Sequence, residues 1–178
     1  MRYFRYYELR CNEEIQTVKF LIALTLLALQ GCMSTEVVPQ GSTFSYENNL
    51  ESNHASAYFY QFDMPGVNSC LLVGVEGKYK GCIGYPGYTR ISITTGTKEI
   101  SFTPNSPIKI ANLDFDFGFE AGKEYFFKYQ NVKHKSSSDK EIKTQYNMLL
   151  DDTYGWYLVD KQSALNELKG LRAWHKAI

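Results

Sequence analysis

From Ser56 to Asp160 the chain alternates apolar and polar residues with a period of two, broken at short intervals by turn residues. That period places successive side chains on opposite faces of a pleated strand. It predicts strands over 56–62 (SAYFYQF), 70–75 (CLLVGV), 78–84 (KYKGCIG), 89–95 (TRISITT) and 98–104 (KEISFTP). It predicts further strands over 113–119, 123–130 (KEYFFKYQ), 144–150 (TQYNMLL) and 155–160 (GWYLVD). Leu113, Phe115, Phe117 and Phe119 alternate with Asp114, Asp116 and Gly118, which gives one apolar and one polar face. Glu76-Gly77 reads as a hairpin turn, and Pro86-Gly87 fits the middle of a type II turn. Residues 133–140 (KHKSSSDK) form a polar loop, and Asp151-Asp152 turn the chain again. One stretch has helical spacing: Asp160 can cap it, Ala164, Leu165 and Leu168 share a face, and Gly170 can end it. Many short strands and one terminal helix predict an all-β fold, an antiparallel β-sandwich with a short C-terminal helix.

A different pattern precedes the strands. Phe20 to Leu29 is an uncharged apolar run of ten residues after Lys19, followed by Gln30-Gly31-Cys32. Spanning a bilayer core as a helix takes about 20 apolar residues, so the run fits a signal-peptide core instead. Leu29, a small residue at Gly31 and a cysteine directly after it resemble the lipobox of bacterial lipoprotein signals. The resemblance implies cleavage between Gly31 and Cys32, a diacylglyceryl thioether on the Cys32 sulfur and acylation of the new amine. Met33 stands where that family's inner-membrane retention signal has aspartate, so the resemblance implies the outer membrane, with the domain facing the periplasm. Residues 1–17 carry Glu8, Glu13 and Glu14 among their arginines, unlike a short basic leader. A start at Val18 would give an ordinary leader, Met-Lys-Phe-Leu-Ile, so 1–17 read as an upstream extension.

Removing residues 1–31 as a signal peptide leaves 147 residues, enough for one domain with a real core. Their net charge is −1 and no basic patch stands out, so no nucleic-acid partner is expected. The aromatic share of 15% suits half-buried sheets. Residues 32–55 are polar, with Pro39 and Gly41, and read as an acylated N-terminus and flexible tether reaching about 25–30 Å. Val37-Val38 or Phe44 to Tyr46 could instead add an edge strand. The folded domain is then expected over 56–178.

The order of AYFYQF, VGVEGKYKG, PGYTRISITT, FEAGKEYFFKYQ and LVDKQSALNELKGLR over residues 57–172 resembles a family of small bacterial lipoproteins. That family has a domain of unknown function with a PEGA-like β-sandwich. The resemblance implies the sandwich and brings no catalytic residues. The loop around Ser136–Ser138 and the two cysteines of the strand region fall outside its pattern.

Cys70 and Cys82 are the first candidates for chemistry, because two nearby cysteines in an oxidising periplasm usually pair. A two-residue turn at Glu76-Gly77 would put them on opposite faces. A three-residue loop, Val75-Glu76-Gly77, would set them directly opposite each other, so a disulfide predicts that loop. The histidines His54, His134 and His175 fall in polar segments away from any nucleophile or metal spacing, and no cofactor motif is present. Asp114 and Asp116 share one side of a strand and read as its solvated face. Asp151 and Asp152 lie elsewhere, and a carboxylate-dependent periplasmic hydrolase is the alternative if Asp114 or Asp116 is buried in a cleft with a second carboxylate. Tyr79, Tyr85 and Tyr88 cluster near one turn, and Tyr154, Trp156 and Tyr157 near another. As exposed rings, Tyr85, Tyr88 and Trp156 would stack on cell-wall glycan; as sheet residues they would pack inside. The reading that accounts for most of these features is a lipid-anchored, non-enzymatic envelope module. It would bind another envelope protein or a cell-wall component.

Overall fold

The computed structural model describes residues 41–47, 52–62, 70–104, 113–148 and 151–173. The chain divides into two units, Met1–Glu36 and Val37–Ile178, and every described residue lies in the second. Gly31, Cys32 and His175 fall outside the described residues.

Among the described residues nine strands appear in order: β1 (His54–Gln61), β2 (Leu71–Val75), β3 (Lys78–Ile83), β4 (Gly87–Thr94), β5 (Gly96–Pro104), β6 (Phe115–Phe119), β7 (Glu124–Asn131), β8 (Lys140–Asn147) and β9 (Asp152–Val159). A 3-10 turn, Val132–His134, follows β7, and one helix, α1 (Lys161–Leu168), follows β9. The strands form a five-stranded sheet, β4-β1-β7-β9-β8, and a four-stranded sheet, β3-β2-β5-β6. The fold is an all-β sandwich with one short C-terminal helix. Every pair is antiparallel except β1 with β7. Chain order explains the exception. β7 re-enters the five-stranded sheet from β6 of the other sheet, a long crossover of the kind that parallel neighbours require.

The alternation read from the sequence sets the core between the sheets. Ala57, Phe59, Ile91, Ile93, Phe127 and Trp156 of the larger sheet meet Val73, Ile100, Phe102, Phe115 and Phe119 of the smaller one. Phe59 stacks on Phe127 with ring centroids 4.9 Å apart, and Phe102 stacks on Trp156 at 4.4 Å. The helix begins as expected: the Asp160 carboxylate accepts a bond from the Ser163 amide at 3.0 Å. Gly170, with φ of 90°, sits just past its end, where a left-handed residue favours glycine.

Four expectations need correction. The β2–β3 hairpin closes through two residues, Glu76 (φ 49°) and Gly77 (φ 72°), not three. That turn alone would split the cysteines between faces. A register shift between Val73 and Gly74 adds one residue on β3, so Leu72 pairs with Cys82 and parity is restored. Cys70 and Cys82 then share a face, with Cα atoms 5.6 Å apart and their sulfurs bonded. Second, Gly87 opens β4 with a negative, extended φ rather than the positive φ that its place in a type II turn requires, so this corner is not a type II turn. Third, β8 starts at Lys140 and ends at Asn147, earlier than the apolar signal placed it. It is an edge strand of exposed and half-buried polar residues, a pattern that hides a strand from a hydrophobicity reading.

Fourth, the folded domain takes in part of the expected tether. The Gly41 amide donates to the Ala173 carbonyl at 3.0 Å and the Phe44 amide to the Leu171 carbonyl at 2.9 Å. Thr43 bridges Arg172, and the Phe44 ring meets Tyr88 edge-on at 5.3 Å. An apolar ring inside a polar segment had a place to be buried, which the polarity of its neighbours concealed.

Candidate functional site

Bonded charged and tyrosine side chains gather on the outer face of the five-stranded sheet. In β1, β7 and β9 both parities are buried, because α1 and residues 41–47 cover this second face. Tyr58, Tyr60, Phe126 and Val159 project outward there and pack with Ala164, Leu168 and Leu171. Tyr58 stacks on Phe126 at 4.8 Å and carries the Arg90 guanidinium 5.5 Å above its ring.

Two charged clasps hold the cover. At one, Lys161 Nζ donates to Glu124 Oε2 at 2.5 Å and to the Tyr46 hydroxyl at 2.6 Å, and Tyr46 itself donates to Glu124 at 2.8 Å. These bonds, from Glu124 first and Tyr46 second, push the Lys161 ammonium up to about 12. At the other, Glu167 of α1 accepts from Tyr60 Oη at 2.6 Å and from Lys128 Nζ at 2.6 Å. Burial first, and the Glu167 bond second, push the Tyr60 hydroxyl far above its ordinary range, so it stays a donor at every accessible pH. Tyr60→Phe leaves part of the Glu167 acceptance unmet and is expected to cost about 1.5–3 kcal/mol, the range for bonds to charged groups. Urea denaturation checks it, as a lower midpoint at unchanged slope.

Beside the second clasp, residues 132–139 fold over the end of β7. The buried Asp139 carboxylate accepts from Gln130 Nε2 at 2.9 Å and from the Ser136 amide at 3.0 Å. Lys135 sits 5.6 Å over the Tyr157 ring. The Lys133 ammonium reaches Asp152 at 2.7 Å, and that bond, then Asn131 and the Thr153 amide, hold the Asp152 carboxyl down at about 2. A folded-state value below the ordinary 3.8 contributes stability above that value, lost as pH falls through about 2. Asp152→Asn should therefore flatten the acid limb of a stability–pH curve between about 4 and 2. A limb unchanged by the substitution would contradict the assignment.

The residues singled out from the sequence are scattered. Cys70 and Cys82 are buried on the smaller sheet. Of the proposed stacking rings, Tyr85 is 43% exposed, but Tyr88 packs under Phe44 and Trp156 is fully buried between the sheets. Tyr88 and Trp156 are thus packing residues rather than a glycan platform. Asp114 is half-buried and accepts from the Phe102 amide at 2.7 Å, which ties β5 to the chain entering β6. Asp116 faces solvent opposite Glu99. His54 opens β1 and His134 lies in the 3-10 turn, apart from both. Among the described residues no three His, Cys, Asp or Glu side chains gather to hold a metal ion, and no helix is long and apolar enough to cross a membrane.

No family model, no curated protein and no solved structure matches this chain. The site is therefore read from its own geometry. Sequence reasoning missed Tyr46, Glu124, Lys161, Lys128 and Glu167. A signal existed in AYFYQ, YFFKYQ and GWYLV, which are apolar at both parities and so belong to strands covered on two faces. What the outer face does chemically is hold segments in place: its carboxylates are bonded to lysines, tyrosines and amides.

Proposed function

We propose that this chain is a lipid-anchored module of a bacterial cell envelope, which presents a disulfide-bonded β-sandwich on the periplasmic side and acts by binding. The observation that carries the reading is Leu29-Gln30-Gly31-Cys32 behind a ten-residue apolar run, placed nine residues before the first described residue, Gly41. Covalent reach limits that connection to about 30 Å when fully extended, so an acylated Cys32 keeps the sandwich at the membrane. The disulfide between Cys70 and Cys82 supports an oxidising compartment. The module's partner is another envelope protein or a cell-wall component, engaged through loops or the β8 edge.

Fractionation of host cells tests the anchor. The natural chain is expected in the membrane fraction and Cys32→Ala in the soluble fraction or retained as uncleaved precursor. Membrane association unchanged by Cys32→Ala would overturn it.

A further inference from the structure

We infer that one end of the sandwich is a membrane-contact surface, in which Met148, Tyr146, Val132 and Tyr85 enter the lipid interface while acylated Cys32 holds the domain there. The inference rests on the anchor proposed above.

The register of the larger sheet defines that end. Gly87 pairs with Gln61, Gln61 with Tyr129, Tyr129 with Trp156 and Trp156 with Lys143, which gives one row across all five strands. Beyond this row β1 and β7 terminate, β4 begins, and β8 and β9 run on to the pair Asn147–Asp152. Six large apolar or aromatic side chains are exposed among the described residues, and four of them lie beyond this row. Met148 is 87% exposed, Tyr146 53%, Tyr85 43% and Val132 38%. Tyr85 stands just before β4, Val132 just after β7, and Tyr146 and Met148 where β8 ends. A nearly bare methionine at a hairpin end gains nothing from the fold, and it would gain from leaving water.

The anchor emerges at the same end. Gly41 is bonded to Ala173, which bridges Tyr88, the second residue of β4. The sheet is about 19 Å wide at this row, from four interstrand spacings. A connection of at most about 30 Å from Gly41 lets both edges of this end reach the lipid surface that holds Cys32. Tyrosine suits the depth, because its ring is apolar and its hydroxyl stays wet. The Tyr146 hydroxyl donates to Asp151, Lys133 is paired with Asp152 and Lys135 lies over the Tyr157 ring, so two lysines balance two carboxylates at this rim. The rim therefore carries no net charge, and anionic lipid should add little to the contact.

The test uses the mature acylated protein in phosphatidylethanolamine/phosphatidylcholine vesicles, with Met148→Trp as reporter and Tyr79→Trp, at the far end of β3, as control. The unsubstituted protein gives the background of Trp156 and Trp174. The Met148→Trp emission should shift to the blue and be quenched by lipid brominated along its tails, as for a side chain about 5–10 Å into the boundary. The Tyr79→Trp emission should not respond. An acylated chain whose Met148→Trp is unquenched overturns the contact surface and leaves the anchor standing. A chain whose mass carries no acyl groups overturns both. A blue shift without lipid that grows with protein concentration assigns this end to a second copy, and also overturns the inference.

Discussion

Trp156→Ala should destabilise the domain by about 3–5 kcal/mol, the range for emptying a buried indole site. Such a loss is of the same order as the whole stability of a domain this size. The position explains the size. Trp156 is fully buried where the two sheets meet, stacked on Phe102 at 4.4 Å, edge-on to Phe59 at 5.9 Å and tilted against Tyr129 at 5.2 Å. Its neighbours come from both sheets, and a cavity there cannot close without moving one sheet on the other. The indole nitrogen finds no hydrogen-bond partner among the described residues. Trp156→Phe gives up no bond but leaves a smaller cavity, so it should destabilise the domain by less than Trp156→Ala does. Urea denaturation of both variants separates this account from a glycan-stacking role, which would leave stability unchanged in each.

The second large effect concerns the disulfide. Replacing Cys70 and Cys82 together with alanine should cost about 3 kcal/mol by the chain-entropy relation for a short closed loop. The two positions are twelve residues apart in sequence. The unfolded variant is less constrained, so its denaturant slope should rise as its midpoint falls. Reductant should lower the midpoint of the natural protein and leave the double variant unmoved. Equal midpoints in all four conditions would contradict the pairing.

The two cysteines also show where sequence reading stops. Compartment chemistry suggested that they pair, and pairing demanded that they share a face. The three-residue loop met that demand on paper, but the chain meets it with a two-residue turn plus a bulge. Both solutions put the cysteines on one face, but the loop would set Cys70 opposite Cys82, whereas the bulge sets Leu72 there and leaves Cys70 two residues along. The core strands were legible because Ile91, Ile93, Ile100, Phe102 and the phenylalanines of β6 alternate cleanly. The capped helix was legible from Asp160, Leu168 and Gly170. Edge strand β8 was misplaced because its apolar residues are few. The docking of Phe44 and the clasps at Glu124 and Glu167 were not legible, since each joins residues far apart in the chain. Their partners depend on which face α1 covers. The double-sided aromatic runs in β1, β7 and β9 signalled that something covers that face, without saying what.

The aromatic residues were easy to name and hard to place. Tyr85, Tyr88 and Trp156 look alike in sequence, yet the first is exposed and the other two are packed. Parity decides this for Trp156, which shares the inner face with Tyr154 and Leu158. Tyr88 lies on the outer face and is buried because the N-terminal segment returns over it.

The measurement that bears most directly on the anchor is the intact mass of the chain purified from membranes of its host. A chain beginning at Cys32, heavier than its sequence by a diacylglyceryl group and an amide-linked acyl chain, is the result expected. A chain beginning elsewhere, with no acyl mass on Cys32, would contradict the central claim.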